Sequence, residues 1–261
     1  IGGARIIPVN PCEDKIESSN IDDRIKKLLK ENCLYNVTIE KKKLGAGGGG
    51  QVYKGTYKNN DIIAKESFDV FMCNNLADER CNPGFKKFMD EFLVMIALNG
   101  MNNIIKTMGL YVGSQDNVHD EYEIEKHKIY IIMEACEQSL SNLLKQNVMD
   151  NILEYAKQIA NGIKNMHDNN YVHLDLKPDN ILICGMDKVC KLIDFGNSLH
   201  RDKISGKFNY IDDDNPKLTG TPRFVPPERY KNKPGTTINE DKIETFEELK
   251  QWDIYSFGII I

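Results

Sequence analysis

The stretch YVHLDLKPDNILI, residues 171–183, carries residue types that proton and phosphate chemistry need. Asp175 could accept the proton of a substrate hydroxyl, and Lys177 could neutralise charge on a phosphoryl group. Asn180 offers an amide oxygen to Mg²⁺, and Asp194, which follows an apolar run, could supply a second metal ligand. Either aspartate alone could belong to a turn. The spacing D-x-K-x-x-N followed by IDFG is much harder to explain in that way.

A second group of candidates lies in the glycine-rich stretch LGAGGGGQV, residues 44–52. Gly45, Gly47 and Gly50 form the pattern GxGxxGxV, and glycine lets backbone N–H groups approach phosphates closely. A flexible turn would have a similar composition. A strand pattern rather than a helix follows the glycines, which favours a hairpin that covers phosphates over a dinucleotide-binding fold.

Lys65 ends the apolar strand pattern DIIAKES and would point into a cleft between layers. The alternative is an ordinary exposed strand end. An acidic partner on the following helix would favour the cleft. Glu91 is the best candidate, because its helix presents Met95 to the core one turn later, and Asp90 and Glu79 are the alternatives.

The segments that must position these residues change from strand to helix patterns along the chain. Strand patterns cover 37–57 with a glycine turn, 61–67, 104–113 and 128–136. Helical spacing covers 21–34, 85–100, 140–145 and 152–167. Most strands precede most helices, so we expect two lobes of different class.

The composition is that of a soluble globular chain with material for one large domain or two lobes. The 261 residues carry a formal net charge of −5, with 41% hydrophobic and 28% charged residues. This mild acidity argues against nucleic acid as the main partner. No stretch is long and apolar enough to span a bilayer, and no signal peptide is visible. The chain starts with Ile1 and ends in SFGIII, so we expect a fragment of a longer protein.

The seven cysteines are odd in number, scattered and without a CxxC pair. This pattern predicts neither a disulfide framework nor a zinc site. It favours a reducing compartment, and hence a cytoplasmic location.

Together these motifs resemble the eukaryotic-type protein kinases, from about Leu44 to Gly258. The motifs that carry the resemblance are the glycine-rich loop, Lys65 with Glu91, His173-Leu174-Asp175 for HRD, Asp194-Phe195-Gly196 for DFG, Val225-Pro226-Pro227-Glu228 for APE, and Trp252–Gly258 at the start of a large buried helix.

The resemblance implies an α+β, two-lobed protein-kinase-like fold. It has a small antiparallel β-sheet N-lobe and a mainly helical, incomplete C-lobe. It places an N-terminal extension with one amphipathic helix at 1–36 and the N-lobe and hinge at 37–136. The C-lobe, at 137–261, would be truncated after the start of the large buried helix. It also implies that Glu228 is a buried carboxylate left without a partner in this chain, because the arginine that it pairs with would lie in the part of the C-lobe that is missing here.

The implied activity is transfer of the γ-phosphoryl group of Mg-ATP to serine or threonine hydroxyls of protein substrates. The resemblance assigns catalysis to Asp175, Lys177, Asn180 and Thr221, and metal binding to Asn180 and Asp194. LKPDN and Thr219-Gly220-Thr221-Pro222 resemble the Ser/Thr form, with Thr221 bonded near Asp175 and Lys177. Tyrosine specificity is the weaker alternative. A regulatory partner and autophosphorylation stay open.

The resemblance also assigns a set of nucleotide contacts. The glycine-rich loop would cover the phosphates, Lys65 with Glu91 would hold them, Met133 would be the gatekeeper, and Glu134 and Cys136 would offer backbone contacts. Val52, Ala64 and Leu182 would sandwich the adenine. The set comprises Leu44, Gly45, Ala46, Gly47, Gly50, Val52, Ala64, Lys65, Glu91, Met133, Glu134, Cys136, Leu182 and Asp194.

Leu174 departs from the family pattern, because many relatives carry an arginine there that pairs with a phosphate on the activation segment. No group acting on the phosphoryl transfer is missing. We therefore predict active machinery that does not need that phosphate. The second hypothesis is a pseudokinase or scaffold that binds nucleotide without turnover, and a dinucleotide-dependent enzyme is a distant third.

Overall fold

The structure is a computed structural model, and it describes residues 23–47, 50–66, 83–114, 127–146, 151–204, 220–230 and 245–261. The sequence also predicts a tail or linker over 1–19, a loop over 67–84, a polar surface loop over 114–128 and a solvated acidic run at 212–214, and these lie wholly or mostly outside the described residues. So do Gly48, Gly49, Glu79 and Thr219. The chain divides into two units, Ile1–Phe88 with Met108–Glu134 and Met89–Thr107 with Ala135–Ile261.

The first unit is built on a six-stranded sheet with strand order β1-β5-β6-β4-β3-β2. The strands are β1 (Cys33–Leu34), β2 (Thr38–Gly47), β3 (Gly50–Tyr57), β4 (Asn60–Glu66), β5 (Thr107–Ser114) and β6 (His127–Glu134). The pairs β2–β3, β3–β4 and β4–β6 are antiparallel, and β1 runs parallel to β5. The predicted hairpin and paired strands are present.

Helix α1 (Asp23–Asn32) ends two residues before the predicted end at Leu34. Cys33 and Leu34 instead form β1, opposite Leu110 and Tyr111 of β5. A Cβ on Gly109, whose φ is +149°, would lie 2.4 Å from the carbonyl oxygen of Asn32. The chain therefore leaves the helix where the sheet edge offers hydrogen bonds, and a helical period alone cannot reveal that edge.

The second unit is mainly helical. Its helices are α2 (Pro83–Ala97, which begins in the first unit), α3 (Leu140–Lys145), α4 (Ile152–Asp168), α5 (Arg201–Ile204) and α6 (Phe246–Ile260). Two small sheets complete it, β10-β9-β7 and β11-β8. Their strands are β7 (Gln138–Ser139), β8 (Tyr171–Val172), β9 (Ile181–Cys184), β10 (Val189–Leu192) and β11 (Leu199–His200). The α+β class, with a strand-rich first part and a helical second part, is confirmed.

Helices α4 and α6 form the frame under residues 171–183, which we call the catalytic stretch after the chemistry predicted for it. The apolar period of α4 buries Tyr155, Ile159 and Ile163, as predicted for this helix. Helix α6 begins with a capping box in which the Thr245 hydroxyl accepts from the backbone of Glu248 and the Glu248 carboxylate accepts from the backbone of Thr245. Within the described part of the chain, no helix has the length and apolar character to cross a bilayer.

The prediction that the cysteines form no disulfides is wrong. Cys136 and Cys184 form a disulfide, and Cys33 is also disulfide-bonded. Cys136 and Cys184 are 48 residues apart in sequence. Cys136 lies two residues before β7 and Cys184 ends β9, and these strands pair, since Gln138 of β7 lies opposite Ile183 of β9. Spacing along the chain therefore could not reveal a proximity that strand pairing creates.

Candidate active site

The carboxylate of Asp175 is the centre of a hydrogen-bonded network in the second unit. Its Oδ1 accepts from the backbone N–H of Thr221 at 2.9 Å and from the hydroxyl of Thr221 at 2.7 Å. Its Oδ2 accepts from Nζ of Lys177 at 2.7 Å, and the same ammonium donates to the Thr221 hydroxyl at 2.9 Å. The predicted contacts of Thr221 with Asp175 and Lys177 are therefore present.

Asn180 is held beside Asp175 by its own amide. Its Nδ2 donates to the backbone carbonyl of Asp175 at 2.8 Å and to Oδ2 at 3.2 Å. A 3₁₀ turn over Pro178–Asn180 brings it there, closed by the N–H of Asn180 donating to the carbonyl of Lys177 at 2.9 Å. Because Nδ2 is committed to Asp175, Oδ1 is the atom of Asn180 that can bind a cation.

Asp253 of α6 fixes the backbone that carries Asp175. This carboxylate is fully buried, and it accepts from the N–H of His173 at 2.9 Å and of Leu174 at 2.8 Å. The Nε2 atom of His167 on α4 lies 2.9 Å from the same carboxylate. One side chain thus links two helices to the catalytic stretch. The family resemblance also implied that this aspartate holds the loop of Asp175, and its hydrogen bonds to His173 and Leu174 confirm that prediction.

His173 ties the catalytic stretch to the segment before Asp194. Its Nε2 lies 3.0 Å from the carbonyl oxygen of Ile193, and the N–H of Asp175 donates to its Nδ1 at 3.3 Å. These partners fit the neutral tautomer in which Nε2 carries the proton. The fully buried ring lies 5.4 Å from the buried ring of Phe195.

Asp194 directly follows the residue whose backbone pairs with that of Asn180. The N–H of Ile193, the preceding residue, donates to the carbonyl of Asn180 at 3.1 Å. Asp194 itself has a φ of 63°, which non-glycine residues adopt rarely and which recurs at functional sites. The described residues contain no cluster of three or more His, Cys, Asp or Glu side chains suited to a metal. One carboxylate with one amide oxygen nevertheless fits Mg²⁺, which keeps several waters and shares its ligands with phosphates.

In the sheet of the first unit, the residues that share a face with Lys65 differ from the predicted set at one position. Val52 lies opposite Lys65, and Ile63 lies opposite Met133. Opposite residues and residues two apart share a face, so Val52, Ile63, Lys65 and Met133 lie on one side. Ala64 lies on the other side.

The prediction that Val52 and Ala64 flank one ring is therefore wrong. Ala64 is fully buried in a core cluster with Tyr53, Ile62 and Ile132. Ile63 lies on the face of Val52 instead, and its position two residues before Lys65 was the signal available in the sequence.

The glycine-rich hairpin joins β2 and β3, and its described residues include Leu44, Gly45, Ala46, Gly47 and Gly50. Leu44 is half exposed, at 51%. A Cβ on Gly50, whose φ is +121°, would lie 2.6 Å from the carbonyl oxygen of Glu66. Glycine is therefore required at position 50 for the close approach of β3 to β4. The phosphate contacts of the hairpin stay a prediction.

The remaining predicted nucleotide contacts lie at defined places in each unit. Lys65 is 7% exposed at the end of β4, and Glu91 is 3% exposed on α2. Glu134 ends β6, and the half-buried Cys136 follows two residues later. Leu182 lies on β9, opposite Ser139 of β7. The roles of these residues, including the pairing of Lys65 with Glu91, stay predictions.

The prediction that Glu228 is a buried carboxylate is wrong. Glu228 is exposed within a 3₁₀ turn over Pro227–Arg229. The charged group buried there is Arg229, which is 2% exposed, and its guanidinium carbon lies 5.1 Å from the centre of the Trp252 ring. A single turn of 3₁₀ helix points neighbouring side chains in different directions, so the motif alone did not predict which would be buried.

The protein kinase domain model matches residues 38–261, so this chain belongs to the protein kinase family. A serine/threonine-protein kinase, PTK2 of Candida glabrata, is 30% identical over 240 residues, which are 87% of this chain and 28% of that protein. A Wee1-like protein kinase of Arabidopsis thaliana is 33% identical over 156 residues, 58% of this chain and 26% of that protein.

A third relative is the serine/threonine-protein kinase-transforming protein mos of Moloney murine sarcoma virus. It is 26% identical over 229 residues, 84% of this chain and 53% of that protein. The chain thus spans between about a quarter and a half of the length of these relatives. Protein kinases generally use ATP and Mg²⁺ and act on protein substrates.

Proposed function

We propose that this chain is a Ser/Thr protein kinase that transfers the γ-phosphoryl group of ATP to a hydroxyl of a protein substrate. The observation that carries the proposal is the network of Asp175, Thr221, Lys177 and Asn180 in the second unit. The surrounding donors fix the orientation of this carboxylate, and an oriented carboxylate is suited to accept a proton from a substrate hydroxyl.

The hydrogen bonds of Asp175 also suggest how the site changes on binding substrate. A carboxylate has about four acceptor positions, and four donor contacts from Thr221, Lys177 and Asn180 occupy them. Lys177 is the donor with the longest stem, and its side chain is 22% exposed. We propose that its ammonium moves from Asp175 to the transferring phosphoryl group, which frees Oδ2 for the substrate hydroxyl.

Asn180 and Asp194 are the proposed Mg²⁺ ligands, through Oδ1 of the amide and through the carboxylate. Bound Mg²⁺ would neutralise charge on the nucleotide phosphates. Asn180 would also position Asp175, because its Nδ2 donates to both the backbone carbonyl and the carboxylate of that residue. Lys65 would hold the α- and β-phosphates, with Glu91 as the partner that the family resemblance implies.

The choice of serine and threonine as acceptors is supported by Thr221 and Lys177. The hydroxyl of Thr221 bridges Asp175 and Lys177, so it keeps the two groups that flank the acceptor at a fixed separation. Two relatives that carry the name serine/threonine-protein kinase are similar to this chain over 84% of its length or more. The cytoplasmic location and the identity of partners stay predictions.

Phosphoamino-acid analysis tests this proposal. The full chain would be incubated with Mg²⁺, γ-labelled ATP and a generic basic protein, and the labelled product would be hydrolysed. We expect phosphoserine and phosphothreonine. Phosphotyrosine alone would contradict the specificity, and ATP binding without transfer would favour a pseudokinase that acts as a binding module.

A further inference from the structure

The disulfide between Cys136 and Cys184 joins two segments that already hold each other. The N–H of Glu137 donates to the carbonyl of Ile183 at 3.3 Å, and the N–H of Gly185 donates to the Glu137 carboxylate at 2.8 Å. Strand β7 also pairs with β9 on this side. These contacts do not depend on the sulfur–sulfur bond, so both thiols would stay neighbours after reduction.

The bond also lies beside two proposed adenine contacts. Leu182 and Cys184 are two residues apart on β9, so their side chains share a face. Cys136 is itself the last residue of the short segment whose backbone is proposed to bind the adenine. The disulfide therefore fixes that segment to the strand that carries Leu182.

We infer that Cys136 and Cys184 are a reversible thiol–disulfide pair, a modification site that sets the affinity of this kinase for its nucleotide. The inference rests on the proposed function, because it assigns the adenine to Glu134, Cys136 and Leu182. In the oxidised state the covalent bond restrains Cys136 itself before the nucleotide arrives, in addition to the hydrogen bonds that begin at Glu137. Less conformational freedom is then lost on binding, so the oxidised protein binds nucleotide more tightly.

The reaction is exchange with a low-molecular-weight disulfide such as oxidised glutathione. The thiolate of Cys136, the more exposed of the two, attacks one sulfur of that disulfide and expels one thiolate. The thiolate of Cys184 then attacks Sγ of Cys136 in the mixed disulfide and expels the second. The cysteine pair loses two electrons and two protons, and two molecules of the small thiol are formed.

Cys190 provides an internal contrast on the adjacent strand. It lies opposite Ile183, and it is a buried free cysteine within the described ranges. Burial, with a contribution from the nearby Glu154 carboxylate, raises the pKa of its thiol to about 12. Its thiolate is therefore scarce near neutral pH, and it will not take part in exchange.

The test compares Mg-ADP binding by the full chain after treatment with oxidised glutathione and after treatment with dithiothreitol, each reagent being removed before calorimetry. We expect about two- to tenfold tighter binding by the oxidised protein. Peptide mapping should show a linked Cys136–Cys184 peptide only in that sample. Cys136→Ser and Cys184→Ser should each remove the difference and bind like reduced protein.

Cys190→Ser and Cys33→Ser are the matched controls, and both should keep the difference. The comparison of the two wild-type samples is informative even if a serine variant fails to fold. Equal affinities with the linked peptide present, or no linked peptide after oxidation, would overturn the redox inference alone. Absence of Mg-ADP binding in both states would contradict the proposed function.

Discussion

Thr221 binds Asp175 through two of its atoms, with the backbone N–H at 2.9 Å and the hydroxyl at 2.7 Å from the same carboxylate oxygen. Gly220 makes this approach feasible, since a Cβ there would lie 2.9 Å from the Trp252 ring and 3.0 Å from the carbonyl oxygen of Leu174. The segment that carries Thr221 is thus held against the catalytic stretch by the carboxylate that we propose accepts the substrate proton.

Removal of the Thr221 hydroxyl should lower catalysis without unfolding the chain. Thr221→Ala keeps the backbone donor but loses the bridge to Asp175 and Lys177. We expect kcat/KM to fall about tenfold or more, because two charge-assisted hydrogen bonds are lost. Thr221→Ser retains the oxygen and should stay close to wild type. Thr56→Ala, an exposed threonine on β3, is the matched control. An alanine variant with wild-type kcat/KM would show that the hydroxyl has no catalytic part.

Asp253 should be a determinant of stability as well as activity. In Asp253→Asn an amide N–H₂ group must face one of the donors from His167, His173 or Leu174 inside a fully buried site. We expect the free energy of unfolding to fall by about 2–4 kcal/mol. Urea denaturation of the full chain measures it, with Asp187→Asn in the exposed turn between β9 and β10 as the control. An equal effect of the two substitutions would contradict the account.

The side chain of Leu174 packs in the apolar core and offers no group that could bind a phosphate. It is 1% exposed and packs with Val172, Leu199 and other core residues, although its φ of 64° is unfavourable for a leucine. Leu174→Arg should therefore destabilise the chain by about 3 kcal/mol or more, because it buries an unpaired charge. The control is Leu153→Arg, where the native side chain is 68% exposed. Wild-type stability of Leu174→Arg would show that the position can hold a charge.

Kinase activity should persist without phosphate on the activation segment. Leu174 cannot pair with a phosphate. Instead, its apolar packing with Leu199 holds the start of the activation segment, the residues between Asp194 and Glu228. Phosphatase-treated full-length protein, checked by intact mass, should give the same initial rate of transfer as untreated protein. If the initial rate fell to background after phosphatase treatment, a phosphate would be ordering the segment through a residue other than Leu174.

Much of the fold could be predicted because its helix and strand periodicities depend on residues that are close together in the sequence. The hairpin before Tyr57, the helix at 140–145 and the helix that starts at Ile152 agree with the patterns in the sequence. The contact of Thr221 with Asp175 followed from the family resemblance. Roles that depend on a ligand, such as those of Asn180 and Asp194, stay predictions.

The errors share a physical origin in tertiary contacts. Helix α1 ends early because β5 accepts Cys33 and Leu34 as a strand. The link between Cys136 and Cys184 depends on the pairing of β7 with β9. The family resemblance assigned Ala64 to the adenine pocket, whereas the register of β3, β4 and β6 decides which side chain shares a face with Lys65.

The role of Asp175 is tested most directly by phosphoryl transfer from γ-labelled ATP in the presence of Mg²⁺, with wild type and Asp175→Asn measured side by side. Asp168→Asn on α4 is the control, because its carboxylate is 56% exposed and pairs with Lys164. We predict a ~10²–10⁴-fold lower rate for Asp175→Asn with unchanged thermal unfolding, and a normal rate for the control. A rate for Asp175→Asn equal to that of wild type would contradict the proposal that this carboxylate accepts the substrate proton.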